Sequence, residues 1–323
     1  MLLIVSNSND YTADFLQEKI SALGLPFIRF NTDTFPSSIS LLLQDSNGVS
    51  ENSIVLESGQ IVPLDNISAV WWRRPERIGA QTLGNIKDER VKKFTRYQLE
   101  SAFDELTATL NKTAVWMNRP DRNQHANSKM VQLRSANQLS FKTPNTVFSN
   151  DPKVVKDFFD GHDGKIVYKT IKRPAFIFGD KMVGFYTSQI TANEIRKTES
   201  IKIAPVFLQE AIEKKLELRV TVVGHHVLAA SIDSQASKEG VLDWRRINTE
   251  VGQWKPFHLD SVTEKKCLEL TRGFGLNFGA IDLAVTPQDE IVFFEINPNG
   301  QWAWLEIGSE IPISKFFIEL FYE

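Results

Sequence analysis

Three oxygen-bearing side chains near the C-terminal end set the chemistry expected of this chain. Residues 279–300 read as two apolar runs, GAIDLAVT and IVFFEIN, flanking the turn residues Pro287, Gln288, Asp289 and Glu290, which is the pattern of a β-hairpin. If those four residues form the loop, Thr286 pairs with Ile291, and counting back sets Asp282 opposite Glu295. Asn297, two residues on, shares the face of Glu295. Two carboxylates facing each other across a ladder repel, and among Ile, Leu and Phe they also lose solvation. A cation held between them removes both problems. Oxygen ligands suit a hard ion such as Mg²⁺, which takes a few carboxylates together with nucleotide phosphates. Any one of these carboxylates, taken alone, reads sooner as part of a solvated hairpin face. Three oxygen ligands converging on one face of apolar strands point instead to a metal site that holds a nucleoside triphosphate.

Other charged residues could complete such a site. Lys169 is the one charge in the apolar stretch 166–171; a lysine on a buried side needs an anion, and a phosphate would serve. An edge lysine reaching water is the other reading. Lys129, on an expected helix, reads by itself as a solvated surface residue. The stretch from Gln209 and Glu210 through Ala211 and Ile212 to Glu217 and Arg219 leaves one strand, crosses a polar connector and enters another. Exposed backbone groups in such a connector can pair with a purine edge. Glu217 and Arg219 alternate with Leu216, Leu218 and Val220, so they share a face; the carboxylate can accept ribose hydroxyls and the guanidinium can hold a developing acyl phosphate. A simple ion pair on a solvated face fits the same alternation. Arg245 and Arg246 form a second arginine group that could hold carboxylate or phosphate, though taken alone the segment reads as a surface loop.

The elements that must position these residues follow from periodicity. Residues 2–6, 11–23 and 26–30 read as a strand–helix–strand unit. Short extended segments at 39–44, 54–57 and 61–64 lead to a strand ending in Trp71, Trp72, Arg73 and Arg74. A polar helix over 87–110 and a strand over 114–118 complete an α/β domain, 1–120. A helix over 123–139 carries Asn127 and Lys129. An α+β unit spans 121–207, and the remaining segment, 208–323, holds a hairpin over 216–233, a helix over 261–272, the carboxylate hairpin and a closing helix over 313–321. The fold class is thus α/β and α+β.

Composition narrows the function. The 323 residues are 42% hydrophobic and 24% charged with a net charge of −3, so nothing in the overall field recruits nucleic acid or an anionic membrane. The one cysteine, Cys267, excludes an internal disulfide framework. The N-terminus lacks a basic region and a long apolar run, which points to the cytoplasm. The five histidines show no metal spacing. Walker, Rossmann and Gly-x-Ser-x-Gly motifs are absent from the sequence.

Taken in this order, Lys129, Lys169, the connector 209–219, Asp282, Glu295 and Asn297 resemble the ATP-grasp superfamily over nearly the whole chain. More narrowly, the segments 71–75 (WWRRP), 118–120 (NRP), 125–129 (HANSK), 216–219 (LELR), 243–245 (DWR) and 295–302 (EINPNGQW) resemble the peptide ligases that mature microviridins and other graspetides. That resemblance implies a three-domain architecture with ATP between the central and C-terminal domains. Lys129 and Lys169 would meet ATP phosphates, Gln209, Glu210, Ala211 and Ile212 the adenine, and Glu217 the ribose. Asp282, Glu295 and Asn297 would ligate Mg²⁺, while Arg219 and Arg245 would hold the acyl phosphate or substrate carboxylate. The segment 172–180 is aromatic and poor in glycine where many ATP-grasp enzymes cover phosphates. In the narrower family the corresponding hairpin helps bind the precursor leader, which implicates Arg173, Phe176 and Phe178, with Glu194 and Arg196 on the following helix. Core packing is the alternative for the two phenylalanines. The implied activity is ATP-dependent joining of an Asp or Glu side chain of a ribosomal precursor peptide to a Ser/Thr hydroxyl or a Lys amine. The alternatives are a ligase that adds amino acids to a peptide tail and a non-catalytic ATP-binding regulator. Expected partners are ATP, Mg²⁺ and the precursor peptide, with a homodimer left open.

Overall fold

The computed structural model describes residues 1–110, 113–171, 176–178, 181–183, 186–238, 240–247 and 253–323. Its first sheet has the strand order Phe27–Asn31, Leu2–Ser6, Ala69–Trp72, Val115–Met117, all parallel. Leu2–Ser6 is buried along its whole length, which accounts for its uninterrupted apolar run: a central parallel strand is covered on both faces. The helix Tyr11–Ala22 begins where Asp10 accepts the backbone N–H of Thr12 at 3.2 Å. The extended segments that follow form an antiparallel meander, Ile39–Ser46, Val49–Leu56 and Ile61–Pro63.

The helix expected over 123–139 is two helices, Pro120–Ala126 and Lys129–Gln138. Pro120 pre-sets the first turn of one, and Ser128, in an extended conformation, starts the other. The break places Lys129 in a first helical turn. This pair packs on the C-terminal sheet rather than the central one: Ala126, Leu133 and Ala136 share a core with Leu218, Val220 and Phe293. Gln132 donates to the carbonyls of Ala126 (2.6 Å) and Ile296 (2.8 Å).

The central sheet runs in the order Ser188–Gln189, Ile166–Tyr168, Val206–Glu210, Thr146–Ser149, all antiparallel. The boundary expected at 207/208 falls inside the strand Val206–Glu210, which belongs wholly to this sheet. A separate two-stranded ribbon pairs Phe176–Phe178 with Lys181–Val183.

Five antiparallel strands make the C-terminal sheet, in the order Lys255–Pro256, His226–Ile232, Leu216–Val223, Phe278–Val285, Ile291–Asn297. Helix Ser261–Gly273 covers one face through Cys267 and Leu270. Helices Ala303–Ser309 and Ile313–Tyr322 cover part of the other and wedge against the first domain, where Phe317 meets Trp71 with ring centroids 5.5 Å apart. The uncovered remainder of that second face is where the polar side chains emerge.

Candidate active site

Strand alternation delivers the polar groups to one place. Along Leu216–Val223, Leu218, Val220 and Val222 enter the core under helix Ser261–Gly273, so Glu217 and Arg219 take the opposite face. Asp282 lies between the core residues Ile281 and Leu283 of the neighbouring strand. It is paired across the ladder with both Arg219 and Glu295. The Asp282–Glu295 pairing is the one expected, but it arises differently. The turn is displaced by one residue, with Val285 rather than Thr286 opposite Ile291, and a register shift between Asp282 and Leu283 takes up one residue, Phe294. The bulge restores the predicted pairing and pushes the Phe294 ring into the site.

Above this surface lies an open cleft. Lys169, Thr170 and Gln209 from the central sheet line it, as do Glu210, Ala211, Ile212 and Lys214 of the connector. Lys129, Glu217, Asp282, Phe294, Glu295 and the segment carrying Asp243 and Arg245 complete the wall. Ion pairs neutralise the floor: Lys129 with Glu295, Arg219 Nη1 with Asp282 Oδ1 at 2.8 Å, and Lys214 Nζ with Glu217 Oε1 at 2.7 Å. Burial pushes the Glu217 carboxyl up from its ordinary range, with Lys214 acting against that shift.

The roof is different. Among the described residues, the Lys169 ammonium has no hydrogen-bond or ion-pair partner, and it sits 4.5 Å from the centroid of the Phe294 ring. Burial lowers its pKa to about 8; the field of Glu295 works in the opposite direction. Gln209 is buried; its Nε2 donates to Thr146 Oγ1 at 3.0 Å, while its Oε1 has no partner. A buried amide oxygen without a donor is costly, and a ligand amino group would satisfy it.

The remaining expected residues divide. Arg245 lines the cleft but forks onto Asp243, with Nε 2.6 Å from Oδ1 and Nη2 on Oδ2. Asp243 Oδ2 also accepts the backbone N–H of Thr187 at 3.0 Å, which ties this loop to the central sheet's edge. Asn297 shares the strand of Glu295 but is exposed, accepts the Asn299 N–H at 3.0 Å and is not in the cleft wall. Glu194 and Arg196 are exposed and lie away from the cleft; Glu194 closes a capping box on Thr191. Phe176 and Phe178 belong to the two-stranded ribbon, and Arg173 lies outside the described residues.

Sequence reasoning gave no role to Lys214, Phe294 or Arg73. Lys214 and Lys215 are adjacent and look equivalent, yet one turns inward to Glu217 and the other reaches Asp289 Oδ1 at 2.8 Å. Phe294 required knowledge of the bulge. Arg73 was visible only as part of an arginine pair after a strand.

Among the described residues, no three His, Cys, Asp or Glu side chains form a metal cage. Two carboxylates set opposite each other fit an ion that fills its remaining positions with water and phosphate oxygens. No described helix is long and apolar enough to cross a membrane.

Residues 1–124 match the MvdD pre-ATP grasp domain family. No curated protein matches. Among solved structures, the chain is similar to a Chryseobacterium gregarium RiPP-associated ATP-grasp ligase in complex with ADP and a leader and core peptide. The identity is 30% and the TM-score 0.91, over 99% of this chain and 96% of that one. It is also similar to the macrocyclase MdnC from Microcystis aeruginosa MRC, bound with precursor peptide MdnA, at 33% identity and TM-score 0.85 over 99% and 98% of the two chains. The macrocyclase MdnB from the same organism aligns at 26% identity and TM-score 0.81 over 99% and 98%.

Proposed function

The chain belongs to the graspetide family of RiPP-associated ATP-grasp ligases, and we propose that it closes rings in a ribosomally made precursor peptide, releasing ADP and phosphate. The observation that carries this reading is one cleft with two unlike walls, Lys169 and the unpartnered Gln209 Oε1 facing the Asp282–Glu295 pair. Gln209 and the connector 210–212 would take the adenine edge, Glu217 and Lys214 the ribose, and Lys129 and Lys169 the phosphates. Asp282, Glu295 and Asn297 would hold Mg²⁺. The metal would neutralise charge on the transferred phosphoryl group.

The peptide's Asp or Glu carboxylate attacks the terminal phosphorus, and ADP departs with the electrons of the cleaved P–O bond. A Ser/Thr hydroxyl or Lys amine of the same peptide then attacks the acyl phosphate, loses its proton and expels phosphate. Arg219 steadies the carboxylate side of this sequence, since its guanidinium already grips Asp282 at the floor. Arg245 would reach the same carboxylate by exchanging Asp243 for it. The ribbon Phe176–Phe178/Lys181–Val183 and the helix Ala192–Ile195, with Arg173, Phe176, Phe178, Glu194 and Arg196, would take the precursor leader. A three-part division at about 120 and 210, a cytoplasmic location and a homodimer belong to the same reading; limited proteolysis, fractionation and light scattering test them.

Incubation of the enzyme with MgATP and a candidate precursor, followed by mass spectrometry, tests the reaction. Each bond formed should lower the peptide mass by one water, independently of added amino acids. A mass that rises by an amino-acid residue would overturn ring closure in favour of tail addition. An unchanged peptide with ATP bound would favour a non-catalytic regulator.

A further inference from the structure

The loop at 298–301, directly after the strand that carries Glu295 and Asn297, is held by residues far from it in sequence. Asn118 Nδ2 donates to the Pro298 carbonyl at 3.0 Å. Arg73 Nη1 donates to the Asn299 carbonyl at 2.6 Å and the Gly300 carbonyl at 3.2 Å, and Nη2 donates to Gln301 Oε1 at 2.6 Å. The hydroxyl of Thr12 also bonds to Gln301 Oε1. Arg73 is 1% exposed, and its Nε lies 3.2 Å from Asp10 Oδ2, itself in a buried residue.

On its other side the same loop meets the floor of the cleft. The Gln301 carbonyl accepts from Arg219 Nη2 at 3.2 Å, while Arg219 Nη1 holds Asp282. Gln301 therefore stands between two guanidinium groups, its side chain on Arg73 and its backbone on Arg219. Gly300 leaves no slack. A Cβ there would lie 2.4 Å from Ala280 Cβ and 2.7 Å from Arg219 Nη2.

A buried ion pair is a poor device for stability alone, because apolar residues of similar volume commonly serve as well. What a guanidinium adds is planar, directional donation to several acceptors at once. We propose that Arg73 is a positioning residue for the ligase reaction: it sets the 298–301 loop from the first domain and thereby fixes Arg219 against Asp282. The inference rests on the reading of Arg219 given above. It assigns the first domain a part in the chemistry of the distant floor.

The test is ring-closure kinetics of the full chain with precursor peptide and MgATP, comparing Arg73→Lys, Arg219→Lys and the double variant. Arg73→Lys should lower kcat about tenfold with the KM for ATP within about twofold. The double variant should be no slower than Arg219→Lys alone, because both changes spoil one arrangement. Gln301→Ala removes the side-chain link without touching a charge, and it should show the same split and the same lack of additivity if Arg73→Lys does not fold. Losses that multiply, a parallel rise in the KM for ATP, or wild-type kcat in Gln301→Ala would each overturn the inference. Arg219→Lys at full rate would overturn the site reading together with it. A slow Arg219→Lys with multiplicative losses would sink only the role of Arg73.

Discussion

The two walls of the cleft meet their electrostatic needs in opposite ways. On the C-terminal sheet, Glu295, Asp282 and Glu217 each already have a cation of the same chain, and the surface that carries them is backed by the Leu218, Val220, Ile281, Leu283 and Phe293 core. On the central sheet, Lys169 rests on an aromatic ring and Gln209 Oε1 has no partner. That sheet is backed by a smaller described core of Val155, Ile166, Ile195, Ile201 and Leu208. The floor is complete without a ligand, and its groups must exchange partners when a metal and a phosphate arrive. The roof is completed by the ligand. Changes at Asp282, Glu295 and Arg219 on the floor should therefore appear in the chemical step, and changes on the roof in nucleotide affinity.

The largest expected effect tests the floor. Glu295→Gln keeps the volume and the fold but removes one of the two opposed charges, and ring formation should fall by roughly three orders of magnitude or more. A folded variant, checked by circular dichroism, with undiminished turnover would break the comparison. Arg219→Lys should slow the chemical step by about two orders of magnitude with ATP affinity nearly unchanged. If affinity and rate fell together, Arg219 would belong with the roof.

Lys169→Met should do the reverse, weakening ATP binding about tenfold or more through loss of a charge-assisted contact. The pKa gives this prediction a second arm. With burial holding Lys169 at about 8, the ligand-free protein carries the proton below that pH and loses it above. A bound polyphosphate favours the charged form, so binding takes up a proton above about pH 8, and apparent affinity falls as pH rises. Calorimetry in buffers of different ionisation enthalpy should show that uptake in the wild type and lose it in Lys169→Met. The linkage to stability has the opposite sense. The unfolded chain keeps this proton up to the ordinary value of 10.5, so the group makes the ligand-free fold more stable as pH rises from about 8 towards that value.

A smaller effect is expected in the ribbon. Phe176→Ser with Phe178→Ser should weaken peptide binding about tenfold while leaving ATP binding unchanged; unchanged peptide affinity would assign both rings to packing. The smallest effect concerns motion. Amides of Ile166–Tyr168 and Val206–Glu210 should exchange sooner than those of Leu216–Val223 and Phe278–Val285, with the gap closing when nucleotide binds. Equal protection in the ligand-free protein would remove the mechanical side of the contrast.

Much of the floor could be read from the chain because a strand's two-residue period assigns faces before any packing is known. Glu217 with Arg219 came from that period alone, and Asp282 opposite Glu295 from the period together with an assumed turn. The pairing survived a wrong loop length because the bulge at Phe294 restored it. Nothing local could supply the rest. Lys129 reaches Glu295 from 166 residues away, and Arg73 reaches the Asn299 carbonyl from 226. Lys214 and Lys215 differ only in the direction the backbone gives them. Arg245 finds its nearest carboxylate, Asp243, two residues earlier in sequence, but the cleft it lines exists only once the loop is tied to Thr187. Alternation is a property of the backbone and is written in every strand. Which cation neutralises a half-buried carboxylate depends on how whole elements pack, and that is decided only when the sheets and helices meet.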